Sequence, residues 1–203
     1  QRHPLLPPLP PAAGQIGPAP DRGWILRIIY WHFDSVPITG VKQAKSKWCW
    51  AACAEIVGKA VYPSTNRTQF DVVSRYKGTL ANPYPNEKSG TLAESAGGSQ
   101  YVAYDKVKFD SIEGVWSFSK FVDSIAHGYP VQAAGGYYTN GKRTGGHMVV
   151  VYMTQFTDNL SGSNCYIDYY DPWEDISHHC TYNSFCNGSY NTRIYDQTVY
   201  AIY

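Results

Sequence analysis

Trp48-Cys49-Trp50-Ala51-Ala52-Cys53-Ala54-Glu55-Ile56-Val57-Gly58-Lys59-Ala60 is a proline-free run of small and apolar side chains. Such a run predicts a helix buried over most of its surface. The polar segment Gln43-Ala44-Lys45-Ser46-Lys47 ahead of it reads as a loop, so Cys49 falls where loop becomes helix. There the first N–H groups lack intrahelical partners and the helix dipole favours negative charge, which lowers a thiol's pKa and enriches the nucleophilic thiolate. Most buried cysteines are inert, so position alone is thin support. Gln43, six residues upstream, strengthens it. A loop of that length can turn the Gln43 amide back toward the thiol, and an acyl-transfer site needs donors aimed at a developing oxyanion. The backbone N–H of Cys49 and the side-chain NH2 of Gln43 would supply two.

A thiolate also needs a base. In Thr144-Gly145-Gly146-His147-Met148-Val149-Val150-Val151, His147 stands at the mouth of an apolar strand, behind glycines that leave room for a ligand's backbone. Gly145, Gly146 and Trp50 are therefore candidate substrate contacts. A polar residue that opens a buried strand requires a partner. Asp171, in Tyr169-Tyr170-Asp171-Pro172-Trp173, ends the next strand 24 residues later. If the two strands are antiparallel neighbours, their ends meet and the carboxylate can accept the ring N–H and orient the imidazole. Trp173 would either shield that pair from water or belong to the core.

Outward from these motifs, Thr68 to Tyr76 and Ser117 to His127 read as two further helices, the latter with Phe118, Phe121, Val122 and Ile125 at i, i+3, i+4, i+7. Ile25–Phe33, Val131–Ala134, His147–Thr154, Cys165–Tyr170 and Thr198–Tyr203 read as strands. Residues Asn82 to Gly98, rich in Pro, Gly, Asn and Ser, read as loop. Helices early and strands late predict an α+β domain over residues 23–203. Residues 1–22, with Leu5-Leu6-Pro7-Pro8-Leu9-Pro10-Pro11, form a Pro-rich arm or pro-segment remnant of polyproline II character, with an SH3-type partner as a generic alternative.

The bulk composition excludes more than it identifies. Length suits one domain. A formal charge of +1 gives no electrostatic footprint for nucleic acid, and no apolar run of about 18 residues is present to span a membrane. Charged residues make up only 16% of the chain while tyrosine occurs 18 times. That surface chemistry, with five cysteines, points to a secreted or extracellular protein.

Gln43-x5-Cys49-Trp50-Ala51-Ala52, then Gly128-Tyr129-Pro130-Val131, Gly145-Gly146-His147-Met148-Val149-Val150 and Asp171-Pro172-Trp173 together resemble the papain-like cysteine peptidases. The likeness covers about residues 36 to 175. It looks closest to the bacterial branch that includes avirulence-effector proteases and, more distantly, bacteriocin leader peptidases. The resemblance implies a helical lobe carrying Cys49, a β lobe carrying His147 and Asp171, and a cleft between them for a protein or peptide substrate. It also implies a monomer without cofactor or metal, acting outside its cell or delivered into a host. Some relatives cleave their own N-terminal region, and Pro20-Asp21-Arg22-Gly23-Trp24 matches such a site in part. The tail with Cys180 and Cys186 has no counterpart in that branch.

Five cysteines are an odd number. Cys180 and Cys186 are close enough in sequence to close a small disulfide loop, and Cys53 could bridge to Cys165, which would leave Cys49 free. A zinc site at His178-His179-Cys180 and Cys186 does not match a standard finger spacing. Asn66, Asn159 and Asn187 stand in glycosylation triplets, relevant only on a eukaryotic secretory route. Two other readings compete with the peptidase. One is an amidase or acyl-transferase of transglutaminase type. The other is a secreted binding or toxin module in which Cys49 is structural.

Overall fold

The computed structural model describes residues 30–78, 88–157, 164–188 and 193–203. The Pro-rich arm, the partial self-cleavage motif and the Asn159 triplet lie outside the described residues. In chain order the elements are β1 (Trp31–Ser35), α1 (Cys49–Val61), α2 (Gln69–Lys77), α3 (Leu92–Val102), β2 (Lys108–Glu113), α4 (Phe118–Ala126), β3 (Val131–Thr139), β4 (Lys142–Thr157), β5 (Cys165–Asp171), β6 (Ile176–Thr181), α5 (Tyr182–Asn187) and β7 (Ile194–Ile202). The α+β class read from the sequence is the one observed.

Seven strands form one antiparallel sheet in the order β2-β7-β3-β4-β5-β6, with β1 added beside β4. Alternation along β4 explains why two cores form. Met148 and Val150 face one side, where they meet α1 residues such as Trp50, Cys53 and Ile56. Val149 and Val151 face the other, against Phe118 and Phe121 of α4 and Cys165 and Ile167 of β5. The long strand β4 thus carries both cores, and its N-terminal half opens toward the start of α1.

Three expectations are corrected. Residues 92–98 are helical, not loop: α3 is capped by Thr91, whose hydroxyl accepts the Glu94 N–H while the Glu94 carboxylate accepts the Thr91 N–H. Its glycines depress helix propensity, but they permit close packing. A Cβ on Gly98 would lie 3.0 Å from the Ala54 Cβ and 2.9 Å from Val72 Cγ1, and one on Gly58 of α1 would lie 2.5 Å from the Val102 Cβ. Second, the strands read at Val131–Ala134 and His147–Thr154 extend toward each other as β3 and β4. They form a hairpin closed by Asn140-Gly141, whose φ values of 52 and 73° match the twist of the paired strands. Third, β2, β6 and α5 lie where no element was expected.

The cysteines also depart from the expected bridges. All five are free thiols. Cys53 belongs to the core beneath α1 and Cys165 to the core on the opposite face of the sheet, so the sheet separates them. Cys180 on β6 and Cys186 on α5 both pack into the second core, where burial pushes the Cys180 thiol up to about 12 with Asp168 and Cys186 adding to it. Burial raises Cys186 as well, and these protonated thiols are poor nucleophiles. The zinc reading finds no convergence: His178 pairs with Glu174 at 2.7 Å and His179 with Asp168 at 2.5 Å.

Candidate active site

Cys49 is the first residue of α1, and Trp48 at the N-cap offers no side-chain cap. The Ala51 N–H closes onto Trp48 O at 3.0 Å, so the first-turn amides that can face negative charge in the cleft are those of Cys49 and Trp50, the latter on the Cys49 sulfur. His147 on β4 hydrogen-bonds the Cys49 side chain, and its Nε2 lies 2.6 Å from Asp171 Oδ1. With Nε2 turned to Asp171, Nδ1 is the ring atom left for sulfur. Asp171 terminates β5, and the antiparallel register Val151↔Tyr169 and Val150↔Tyr170 brings that end beside the middle of β4, next to His147. The three side chains predicted from sequence are assembled in one place.

Each group's titration reflects its neighbours. Burial opposes the Cys49 thiolate, yet the hydrogen bond and charge of His147, with N–H groups of Met148 and Trp50, outweigh it and hold the thiol below its ordinary value. Burial also opposes the imidazolium, but Asp171 and Cys49 outweigh it and raise His147 to about 8. Asp171, 1% exposed, is disfavoured by burial but held well below the usual carboxylate range by His147, the Trp173 N–H and Arg193. The arrangement favours thiolate and imidazolium together.

Gln43 is placed otherwise than expected. Its Nε2 donates to Lys45 O at 2.8 Å and Ser46 O at 3.0 Å, so both N–H groups are engaged within its own loop. Its backbone N–H donates to Pro172 O at 2.8 Å, which ties the approach to α1 to the Asp171 turn. Neither contact aims a donor at Cys49. Two buried residues that the sequence reading missed support the same loop. Gln69 accepts from the Ala44 N–H and donates to Lys42 O, and Glu55 of α1 accepts the Gln69 N–H at 2.6 Å.

A cleft of about 470 Å3 opens over Cys49 and His147, lined by Trp50, Leu92, Met148, Arg143, Gly145 and Gly146 among others. That volume lies within the range of ligand-binding clefts. Trp50 and Gly145 stand where substrate contacts were expected. Gly146 does so for another reason: a Cβ there would lie 2.5 Å from Arg143 Nη2, so the glycine seats a guanidinium rather than a ligand backbone. Arg143 is fixed in turn by Asp196 at 2.8 Å. Trp173 is 55% exposed and does not line the cleft; its backbone N–H bonds Asp171 Oδ1 at 2.8 Å. The part it plays at the pair is a backbone one.

Beneath the cleft a buried polar chain joins the helices to the sheet. The Ser95 hydroxyl on α3 donates to Gln132 Oε1 at 2.5 Å, and Gln132 Nε2 donates to Ser99 Oγ at 2.6 Å. Full burial makes such paired groups costly to break.

A helix that delivers a thiol to a histidine on an antiparallel sheet, with a carboxylate behind the histidine, is compatible with the papain-like cysteine peptidase fold. The model of the Peptidase_C39 like family matches residues 35–201, and the chain belongs to that family. At the family level it is a cysteine peptidase. No curated protein matches the chain significantly.

Proposed function

We propose that the chain is an endopeptidase of proteins or peptides that works through Cys49, His147 and Asp171 and a thioester acyl-enzyme. The observation that carries this reading is the pairing of the Cys49 thiol, at an uncapped helix start, with a histidine whose other nitrogen is 2.6 Å from a buried carboxylate.

In the reaction the Cys49 thiolate attacks the scissile carbonyl carbon, and the carbonyl oxygen takes up the charge. The N–H of Cys49 at the helix start receives that oxyanion. The His147 imidazolium gives its proton to the amide nitrogen, the C–N bond breaks, and the amine leaves. Neutral His147 then removes a proton from water, whose oxygen attacks the thioester; the C–S bond breaks and the thiolate returns. Asp171 keeps the ring oriented and stabilises its charged form. Gln43 in this reading serves the site by holding the 43–48 loop, because donating to the oxyanion would require it to release Lys45 or Ser46.

The test is digestion of a mixed peptide library by the wild-type protein and by Cys49→Ala, with products identified by mass. Internal peptide-bond cleavage that disappears with Cys49 supports the proposal. Transfer of acyl groups to an added primary amine, without hydrolysis, would favour the acyl-transferase instead. No Cys49-dependent product of either kind would leave a non-catalytic module.

A further inference from the structure

Asp171 has two carboxylate oxygens, and the chemistry described so far engages one of them. Oδ1 faces His147 Nε2 and also accepts the Trp173 N–H. Oδ2 accepts from Arg193 Nη2 at 3.1 Å. Arg193 stands just ahead of β7, 22 residues past Asp171, and its side chain is 11% exposed against 1% for the aspartate. A guanidinium this far out of water needs an anion, and Asp171 is the carboxylate that pairs with it among the described residues. Arg193 and His147 also line one small cavity, with Gly135, Val149 and Tyr195. The backbone makes room for this residue: a Cβ on Gly135 would lie 2.9 Å from Arg193 Cβ, and one on Gly188 would lie 2.9 Å from Arg193 O.

The need for a second cation follows from the catalytic cycle, and this step rests on the proposed function. While His147 is an imidazolium, it balances Asp171. Once it has passed its proton to the leaving amine, Asp171 is left as a buried anion. Around it lie groups that do not help. The ligand atoms of Glu174 and His178 sit within 4.8 Å of Asp171, and His178 itself pairs with Glu174. Cys53 of α1 also faces it and, if ionised, would repel it, and Tyr170 beside it bonds Asp175. Arg143, beyond Gly146, pairs with Asp196 instead. We propose that Arg193 is a positioning residue of the catalytic apparatus. It clamps Oδ2, presents Oδ1 to His147, and keeps the aspartate ionised through both protonation states of the ring.

Two consequences separate this role from simple packing. Removing the charge leaves Asp171 balanced by His147 alone, so the imidazolium persists to higher pH. Keeping the charge on a different side chain preserves the titration. The measurement is the rate of iodoacetamide alkylation at Cys49, read by peptide mass, from pH 4 to 10 in folded wild type, Arg193→Gln and Arg193→Lys. It needs no peptide substrate. Wild type is expected to react as thiolate well below the pH of an ordinary thiol, with an inflection near 8 where His147 loses its proton. Arg193→Gln should move that inflection up by at least half a pH unit; Arg193→Lys should hold it within about 0.3 units.

An unmoved inflection in Arg193→Gln, or equal shifts in both variants, overturns the inference while leaving Cys49 as nucleophile. If the Gln variant does not fold, the Lys variant decides, and a shift beyond half a unit counts against the inference. A wild-type Cys49 that reacts as an ordinary thiol contradicts the proposed function itself, and the inference with it.

Discussion

Asp171, at the end of β5, receives His147 from within the neighbouring strand β4 at 2.6 Å, with the imidazole pinned between that carboxylate and the Cys49 thiol. The relationship depends on register. A slip of one residue between β4 and β5 would turn Asp171 to the other face of the sheet and leave His147 without its acceptor. Two cores, one on each face of β4, hold that register.

Replacing Asp171 with Asn retains shape and removes charge. His147 would then lose its largest supporting partner, so its pKa should fall from about 8 toward or below its ordinary value. Cleavage should drop by roughly 10²-fold to 10⁴-fold, as when a charged orienting carboxylate is lost from a triad. Measuring kcat/KM against pH checks both effects, and full activity with an unshifted alkaline limb would refute the assigned role.

The pH dependence has a defined sign. His147 is raised from 6.5 to about 8, so the stability from its pairing is complete below about 6.5 and is lost as pH rises through 8. Asp171 is lowered from 3.8, so its contribution is present above that value and is lost as pH falls below it. Thiolate and imidazolium coexist between the lowered Cys49 value and about 8. Activity should decline above pH 8, and thermal unfolding should show stability falling over pH 6.5–8 in wild type but not in His147→Ala.

Gln43→Ala distinguishes loop support from oxyanion donation. Because its amide bonds Lys45 O and Ser46 O, the substitution should lower the unfolding temperature and slow Cys49 alkylation along with cleavage. A direct oxyanion donor would instead cost about 10²-fold to 10³-fold in kcat alone. A kcat-only loss in an undisturbed fold would return Gln43 to the oxyanion site.

Helix packing through glycine gives a stability prediction remote from the chemistry. Gly58→Val would press a side chain into Val102, where even a Cβ meets carbon at 2.5 Å. Overpacking of this kind costs about 1–3 kcal/mol. For a domain of this size that lowers the unfolding temperature by roughly 2–12 °C, as calorimetry would read. An unchanged transition would mean that α1 and α3 are less closely packed than described.

What sequence could reveal followed from how local each signal is. Cys49 was legible because loop-to-helix position is local, and Asp171 because a strand end has its own composition. His147 stood out by its glycine and apolar flanks, although β4 begins at Lys142 and holds it inside the strand rather than at the mouth. The helix α3 escaped because Gly97 and Gly98 argue against helix until Ala54, Val72 and Tyr76 are brought beside them; the Thr91/Glu94 capping box and the Asn140-Gly141 turn were readable local signals. Arg193 gave no signal, since a cation before a late strand acquires meaning only when β7 pairs with β3 and delivers it behind Asp171. Gly146 does line the cleft, but nothing in the sequence signalled that the Arg143 guanidinium would pack beside it.

Labelling of folded protein at neutral pH by a papain-directed epoxide tests the central claim most directly, because it reads the thiolate and its cleft together. Rapid modification confined to Cys49, and lost in His147→Ala, is the predicted result. Failure to label Cys49 in natively folded wild type, or labelling that persists unchanged without His147, would contradict the account.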